Sequence, residues 1–592
     1  LWRSRCMNKV LEIQEILDPH SLATYISNRY VDWNNQRQSW RSDKEELRNY
    51  LFATDTSTTT NSELPWKNTT TLPKLTQIRD NLHANYMAAL FPNDEWMKWE
   101  AYTKDANDKK KSKTIQAYLS NKTREGGFMS TISQLVLDYI DYGNAFGEVV
   151  WVNERKVDED TGEEIPGFVG PKLVRSSPLD QVFDPTAISY EKSPKITRYI
   201  KTLGELQADS LDYPNLGYDI EEINRAVQIR KRVGLYKPED FDKDAGFNID
   251  GFGSLHAYYN SGYIEILEFE GDIHDFESGT LLRDQIITIV DRTVVIRQRQ
   301  NPSWLAKSRR AHAGWRKRPD NLYAMGPLDN LVGLQYRIDH LENLKADALD
   351  LTIHPPLKVV GDVDTFEWGP GVEIDVGDSG DVVPMPPNPA AFQVNNEISY
   401  LIQMMEEMAG APKEAMGIRS PGEKTAFEVQ TLQNAAGRIF QSKTQQFEIE
   451  FIEPILNIML EMASRNLDGK DLIRVMDDDL GVQEFLEITK EDITAKGKIR
   501  PMGARHFAAR AQLVQNLNGV FNGPIGQTIA PHVSAKALAT LIEDAMGWEK
   551  FDLVQDNIAV MEQLETQRLV NAGQEQVEAE AMTPVEQELP LE

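Results

Sequence analysis

The chain has 592 residues, which at roughly 100–200 residues per domain corresponds to about three to five packing units. Hydrophobic residues make up 41% and charged ones 26%, ordinary globular usage that excludes a disordered or collagen-like chain. The 63 Lys and Arg against 92 Asp and Glu leave a formal net charge of −29, which argues against a protein that grips nucleic acid along a broad basic face.

A single cysteine, Cys6, excludes an internal disulfide and a Cys-based zinc site. No window approaches the roughly 18 consecutive apolar residues of a membrane span, so no membrane partner is expected. The longest uncharged run, 511–535, carries Gln, Asn, Gly and two prolines. The N-terminus lacks the apolar core of a signal peptide. Residues 1–6 are set aside, with Met7 a candidate start.

Residues 10–52 read as helical, with Trp33, Trp40, Tyr50 and Phe52 among charged neighbours. The Thr/Ser/Asn-rich stretches 55–60 and 68–71 read as loops. A helix is predicted over 75–90, stopped before Pro92, and Trp96 and Trp99 are expected to anchor the next turn. Lys109, Lys110, Lys111 and Lys113 open a third helix that continues through Ile132, Leu135, Val136 and Ile140. From Gly143 the pattern changes to strands, 144–152 and 171–175, joined by an acidic turn at 158–164. Residues 219–233 read as helical. Residues 263–269 alternate apolar and polar and 282–297 are rich in Ile and Val, so both read as strands with one buried face.

The most informative region comes next. Pro327 suits the first turn of a helix, where its missing N–H costs nothing. Leu331, Leu334, Ile338, Leu341, Leu344, Ala348 and Leu351 then recur every three or four residues. A helix over 327–353 would be about 40 Å long at ~1.5 Å per residue. Its other face carries Asp329, Arg337, Asp339, Glu342, Lys345, Asp347 and Asp350. Pro355 and Pro356 end it. Residues 357–389 are strand-like and rich in Gly, Pro and Asp. A shorter amphipathic helix covers 394–408, with Ile398, Leu401, Ile402, Met405 and Met408 on its apolar face. A Gly/Pro loop spans 410–424. The next helix opens at Thr425 with Glu428 in a capping-box pattern and runs to about Arg465, kinked at Pro454. Strand-like stretches follow at 471–476, 485–489 and 494–501. The last stretch is read as helices over 504–517, 534–545 and 551–569. Residues 571–592, with six Glu and no Lys or Arg, read as a disordered tail. The overall class is α+β.

Few groups suggest catalysis. No two of the nine histidines lie three to five residues apart, so no local metal pair exists, and no metal or cofactor is expected. Asp477, Asp478 and Asp479 read as a solvated turn, since a calcium loop needs more oxygens and a Glu at fixed spacing. Residues 417–425 (Gly-Ile-Arg-Ser-Pro-Gly-Glu-Lys-Thr) approach the phosphate-loop pattern. Glu423 intrudes there, however, and Pro421 removes an N–H from the cradle, so a turn between two helices is the preferred reading. Lys307, Arg309, Arg310, Arg316, Lys317 and Arg318 put six cations in twelve residues. They read either as a solvated loop or as a contact for nucleic acid or an acidic protein surface. In the Gly/Pro loop, Lys413, Arg419 and Lys424 stand beside Glu414 and Glu423, which suits weak touching rather than tight phosphate binding.

The order long helix, short strand-bearing segment, shorter helix, Gly/Pro loop, long capped helix resembles the portal proteins of tailed bacteriophages, the short-tailed kind in particular. Residues 141–149 (Asp-Tyr-Gly-Asn-Ala-Phe-Gly-Glu-Val) are similar to that family's strand-opening stretch. Residues 177–185 (Ser-Pro-Leu-Asp-Gln-Val-Phe-Asp-Pro) resemble its recurring P-x-D-x-x-F-D-P. Residues 422–426 (Gly-Glu-Lys-Thr-Ala) look like the turn that starts the helix after its tunnel loop. The likeness covers roughly 141–501.

The resemblance implies a non-enzymatic ring, a dodecamer, around a double-stranded DNA channel at one capsid vertex of the virion, assembled in the host bacterial cytoplasm. Residues 1–320 and 425–500 would form an α/β wing, 321–353 and 393–409 the stem helices, 354–392 a small β-containing clip, 410–424 the tunnel loop, and 501–592 a helical crown with its acidic tail. The clip would dock the terminase large subunit during packaging and the head-tail adaptor afterwards. Major capsid and scaffolding or internal core proteins would be further partners. Lys413, Arg419 and Lys424 on the loop, with Arg337 and Lys345 on the stem, become the candidate DNA contacts. The basic cluster from Lys307 to Arg318, and the lysines at 109–113, become candidates for capsid or DNA. Two other classes stay open: a nucleic-acid motor or nuclease using 417–425 or the Asp477 triplet, and another virion protein such as an adaptor or internal core protein.

Overall fold

The structure, a computed structural model, describes residues 10–13, 18–92, 96–101, 106–157, 164–212, 216–232, 257, 262–305, 308–361, 363, 374–385, 393–409, 439–467, 470–476, 483–493 and 497–501. Two compact units are distinguished. One comprises Leu1–Ile473 with Leu486–Ala504, the other Arg474–Phe485 with Arg505–Glu592. The described elements mix helix and sheet, in the order β1 (Leu11–Ile13), α1 (Pro19–Gln36), α2 (Gln38–Leu51), α3 (Lys74–Leu90), β2 (Met97–Ala101), α4 (Ala106–Glu125), α5 (Phe128–Asp141), β3 (Asn144–Val157), β4 (Glu164–Ser176), β5 (Gln181–Phe183) and β6 (Lys195–Thr202). Then come α6 (Leu203–Asp212), α7 (Ile220–Arg232), β7 (Tyr263–Asp275), β8 (Leu281–Val290), β9 (Val294–Gln300), β10 (Arg310–Gly314), β11 (Arg316–Arg318) and β12 (Asn321–Met325). The remainder is α8 (Val332–Ile353), β13 (Leu357–Val360), β14 (Asp381–Pro384), α9 (Val394–Met408), α10 (Glu453–Asn466), β15 (Lys470–Met476), β16 (Gln483–Thr489), α11 (Lys490–Ile493) and β17 (Gly497–Pro501).

The largest sheet runs β5-β6-β7-β8-β9. β6 pairs with β7 only as far as Glu270, and after the irregularity at Gly271 the short β1 takes the same edge in parallel from Ile273 to Asp275. Strand side chains alternate faces. Leu267, Phe269 and Ile273 of β7 pack under Leu22, Ile26, Tyr30 and Trp33 of α1. Ile264 and Ile266 of β7 instead meet Leu206, Ile223 and Ala226 of α6 and α7. Helices therefore cover both faces. That corrects the expectation of one buried face, and it explains why β8 is Ile/Val-rich rather than alternating.

The 282–297 stretch is two strands, not one. Val290 accepts from the Thr293 N–H at 3.1 Å, with Asp291 and Arg292 both at positive φ, a tight turn inside the three-residue connection between the paired Val290 and Val294, where Asn or Asp followed by Gly is usual. Tertiary contacts hold these residues there instead. Arg292 makes a two-point, fully buried pair with Glu265 at 2.6 and 2.9 Å, and Asp291 pairs with Arg230 at 2.8 Å.

A second sheet, β10-β3-β4, lies beside the first. Its junction with β7 is ionic. Arg310, with its side chain 1% exposed, meets Glu148 of β3 at 3.1 Å, Glu270 of β7 at 2.7 Å, and Glu268. It also donates to the Tyr199 hydroxyl at 3.0 Å. Arg309 bridges Glu148 and Glu268, and Arg297 pairs with Glu268. Burial would raise the Glu268 carboxyl, but the charges of Arg309, Arg310 and Arg297 outweigh it and hold the group well below the ordinary range. The same competition, with Lys195 and Arg310 winning, keeps Glu270 low.

Two further departures have local causes. The third helix breaks into α4 and α5 at Gly126-Gly127, where Gly127 has φ +68. The helix before Pro454 widens into a π-turn over Glu448–Ile452, since proline cannot donate the i→i−4 bond. Gly143, at φ +70, touches the backbone of Met325 and Gly326 so closely that a Cβ would overlap both. Strands β15 and β16 form a hairpin, and β17 pairs with β2 around buried Trp99. The predicted helices after 504, the tail and the acidic turn at 158–163 lie outside the described residues.

Arg310→Ala leaves three buried carboxylates short of a cation, and breaking such a pair costs about 3–5 kcal/mol. Urea denaturation should show a loss of that size, whereas Arg318→Ala, on an exposed strand, should stay within about 0.5 kcal/mol of wild type.

Candidate assembly surface

α8 starts after a short 3-10 turn, Asp329–Leu331. Asp329 accepts the Gly326 N–H at 2.8 Å and pairs with the buried Lys44 ammonium of α2. The predicted apolar stripe is only half covered. Leu331, Ile338 and Leu341 are buried, while Leu344, Leu351 and Ile353 are exposed, Ile353 to 68%. α9 packs on α8 and buries Ile398, Leu401 and Met405. Its Tyr400 and Met408 remain exposed.

Between the helices, β13 and β14 form an antiparallel pair in the register Leu357 to Pro384 and Val360 to Asp381. Four-residue strands are marginal alone, and these leave Val359, Val360, Val383 and Met385 exposed. With Leu351 and Ile353 at the far end of α8, these are large apolar side chains left exposed among the described residues. The sequence signal was present in Leu-Lys-Val-Val and Asp-Val-Val-Pro, short runs without polar alternation, but periodicity alone cannot tell a core strand from an exposed one.

The polar face of α8 does not simply face water. Gln335, Asp339 and Asn343 are buried. With Asp347 they hold the segment 66–72, of which the Thr/Asn-rich 68–71 is predicted only as a loop. Asn343 both accepts from the Thr70 N–H (2.9 Å) and donates to the Thr70 carbonyl (2.8 Å), as a neighbouring strand would.

The candidate DNA contacts separate. Arg337 is exposed on α8. Lys345 is ion-paired to Glu342 at 2.5 Å and reaches Asn395 of α9 at 3.3 Å, so it ties the two helices together. Lys413, Arg419, Lys424, the whole loop 410–424 and the phosphate-loop-like 417–425 lie outside the described residues, as do Lys307 and the Asp477 triplet. The basic cluster is not one surface. Arg309 and Arg310 belong to the buried ionic junction, contrary to the solvated-loop and partner-contact readings. Arg316 lies over the Trp315 ring at 5.0 Å. Lys317 pairs with Glu450 at 2.7 Å, and Arg318 is exposed. Linear spacing could not reveal this, because the carboxylates opposite Arg310 come from strands 40 or more residues away.

An open cleft of about 990 Å3 lies between residues 187–191, β10–β12 and the helix through Pro454. Three of its carboxylates are paired, Glu450 with Lys317, Glu453 with Lys498 and Glu461 with Arg465. His312 at its floor is pushed down to about 3 by burial and then Lys317, and bonds Asn144 at 3.0 Å. Among the described residues no group of His, Cys, Asp and Glu is arranged to hold a metal, and no helix is long and apolar enough to cross a membrane. Comparison of the sequence with protein-family models and with curated proteins returns no match.

If copies of the chain assemble through this surface, Ile353→Asp and Val360→Asp should sediment as smaller species yet melt within a few degrees of wild type, because these side chains are exposed among the described residues. Leu341→Asp, which buries a charge within the chain itself, should lower the melting temperature as well.

Proposed function

We propose that this chain is the portal, or head-to-tail connector, protein of a tailed bacteriophage, of the short-tailed kind. The observation that carries the reading is the succession of α8, the β13–β14 hairpin and α9. Two helices pack together and are tipped by a small sheet whose apolar side chains have no cover within the described chain. A ring of copies supplies that cover through a head-to-tail interface, which uses two different patches on each subunit. In this reading α8 and α9 are the stem, the β13–β14 segment is the clip, and the two larger sheets with their helices form the wing.

The work of such a ring is conduction rather than catalysis. Twelve copies multiply a net charge of −29 around the lumen, which repels the DNA backbone and lets it slide. A few cations on the loop 410–424 provide brief contacts against back-slip. The clip docks the terminase large subunit during packaging and the head-tail adaptor afterwards. The wing and crown meet major capsid and scaffolding or internal core proteins at the vertex, after assembly in the host bacterial cytoplasm.

End views of the purified protein by electron microscopy should show a ring with a central hole, with twelve subunits. The purified ring should not hydrolyse nucleotide. Deleting 418–423 should leave rings intact but abolish DNA retention. A compact single subunit without a pore overturns the reading, and nucleotide-dependent stabilisation lost in Lys424→Ala would replace it with a motor.

A further inference from the structure

Four side chains one helical turn apart on α8, at 335, 339, 343 and 347, grip the extended strap 66–72. Asp347 accepts the backbone N–H groups of Lys67 (3.1 Å) and Asn68 (3.0 Å). Asn343 exchanges two bonds with Thr70. Asp339 accepts the Leu72 N–H and the Thr71 hydroxyl, each at 3.0 Å. Gln335 donates to the Leu72 carbonyl at 2.5 Å and to Asp339 at 2.9 Å. The strap itself buries little. Lys67, Thr69 and Thr70 are exposed, and Trp66, half-buried, meets His340 at 5.3 Å. Its hold on the helix is therefore almost wholly polar, and such segments open at low cost.

We propose that residues 66–72 are a releasable latch on α8, with Asp339 as its proton-sensitive catch. The Asp339 carboxylate is buried, and the three groups touching it, the Leu72 N–H, the Thr71 hydroxyl and the Gln335 amide, are uncharged. The charged and titratable groups around it are engaged elsewhere or lie along α8. From α2, Tyr50 faces it, with its hydroxyl on Thr60 at 2.6 Å, and Glu46 also meets Thr60. From α3, Lys74 is ion-paired with Glu406 of α9 at 2.6 Å. On α8, Glu342 pairs with Lys345, Arg337 is exposed, and Asp347 lies two turns beyond under Lys67 and Asn68.

Burial pushes the Asp339 carboxyl up from its ordinary 3.8 to about 6, against the lowering effect of its three hydrogen bonds. The strapped state thus holds the proton more tightly than an opened state in which water reaches the carboxylate. By linkage, a fall in pH through 6 favours the closed latch and a rise through 6 favours release. The difference between the two values caps the change in the closed-to-open ratio at ~100-fold.

Hydrogen exchange on the full chain tests this, with rates corrected for intrinsic pH dependence. Protection of the Asn68, Thr70 and Leu72 amides should begin to rise as pH falls through 6 and be ~10-fold higher at pH 5 than at pH 8. Amides of α5 should not follow. In Asp339→Asn the three amides should be protected equally at every pH. Protection that is flat or falls on acidification in the wild-type chain overturns the proposal, as does an unchanged pH profile in Asp339→Asn. Should that variant fail to fold, the wild-type profile decides alone.

Discussion

The two larger sheets meet through Arg310, and the arrangement around them follows from its need for partners. A guanidinium removed from water must find carboxylates with good geometry or the fold fails. Arg310 finds them on two strands of different sheets, Glu148 of β3 and both Glu268 and Glu270 of β7. That fixes how β3 lies against β7. A one-residue slip of a strand would turn its apolar side chains to the other face, and it would also part Arg310 from its carboxylates. The apolar clusters on both faces of the large sheet supply driving force, and the ionic junction supplies uniqueness.

Elements whose boundaries are set by local chemistry were legible in the sequence. α9 falls at Val394–Met408 as its apolar spacing predicts, and α3 stops short of Pro92. The strands near 144–152 and 171–175 are present but longer. What could not be read depends on partners distant in sequence. The turn at Asp291-Arg292 lacks the glycine that usually follows the Asp or Asn of such a turn and is held by Glu265 and Arg230. The break between α4 and α5 was written in two adjacent glycines, a signal outweighed by the apolar periodicity on either side.

The candidate site was legible in outline and misread in detail for the same reason. Helical spacing on α8 located an apolar stripe, yet only its first half is covered among the described residues. The opposite face was marked only by its charged residues, Asp339 and Asp347 among them, while Gln335 and Asn343 drew no reading. Those side chains are in fact used as a rail for an extended segment far upstream, Asp339 reaching back to Leu72. Arg309 and Arg310 were grouped with their cationic neighbours by proximity in the chain, whereas burial separates them from Arg316 and Arg318.

The contact of Gly143 with Gly326 has a mechanical meaning. One glycine precedes strand β3, and the other stands just ahead of the turn into α8. With no side chain between them, the two main chains rest directly on each other, while Asn144 donates to the Ala324 carbonyl at 2.9 Å alongside. There is no compressible layer at that crossing to absorb a change of angle. A side chain at either position would drive the two main chains apart, so the crossing that sets where the turn into α8 leaves β3 accepts glycine alone.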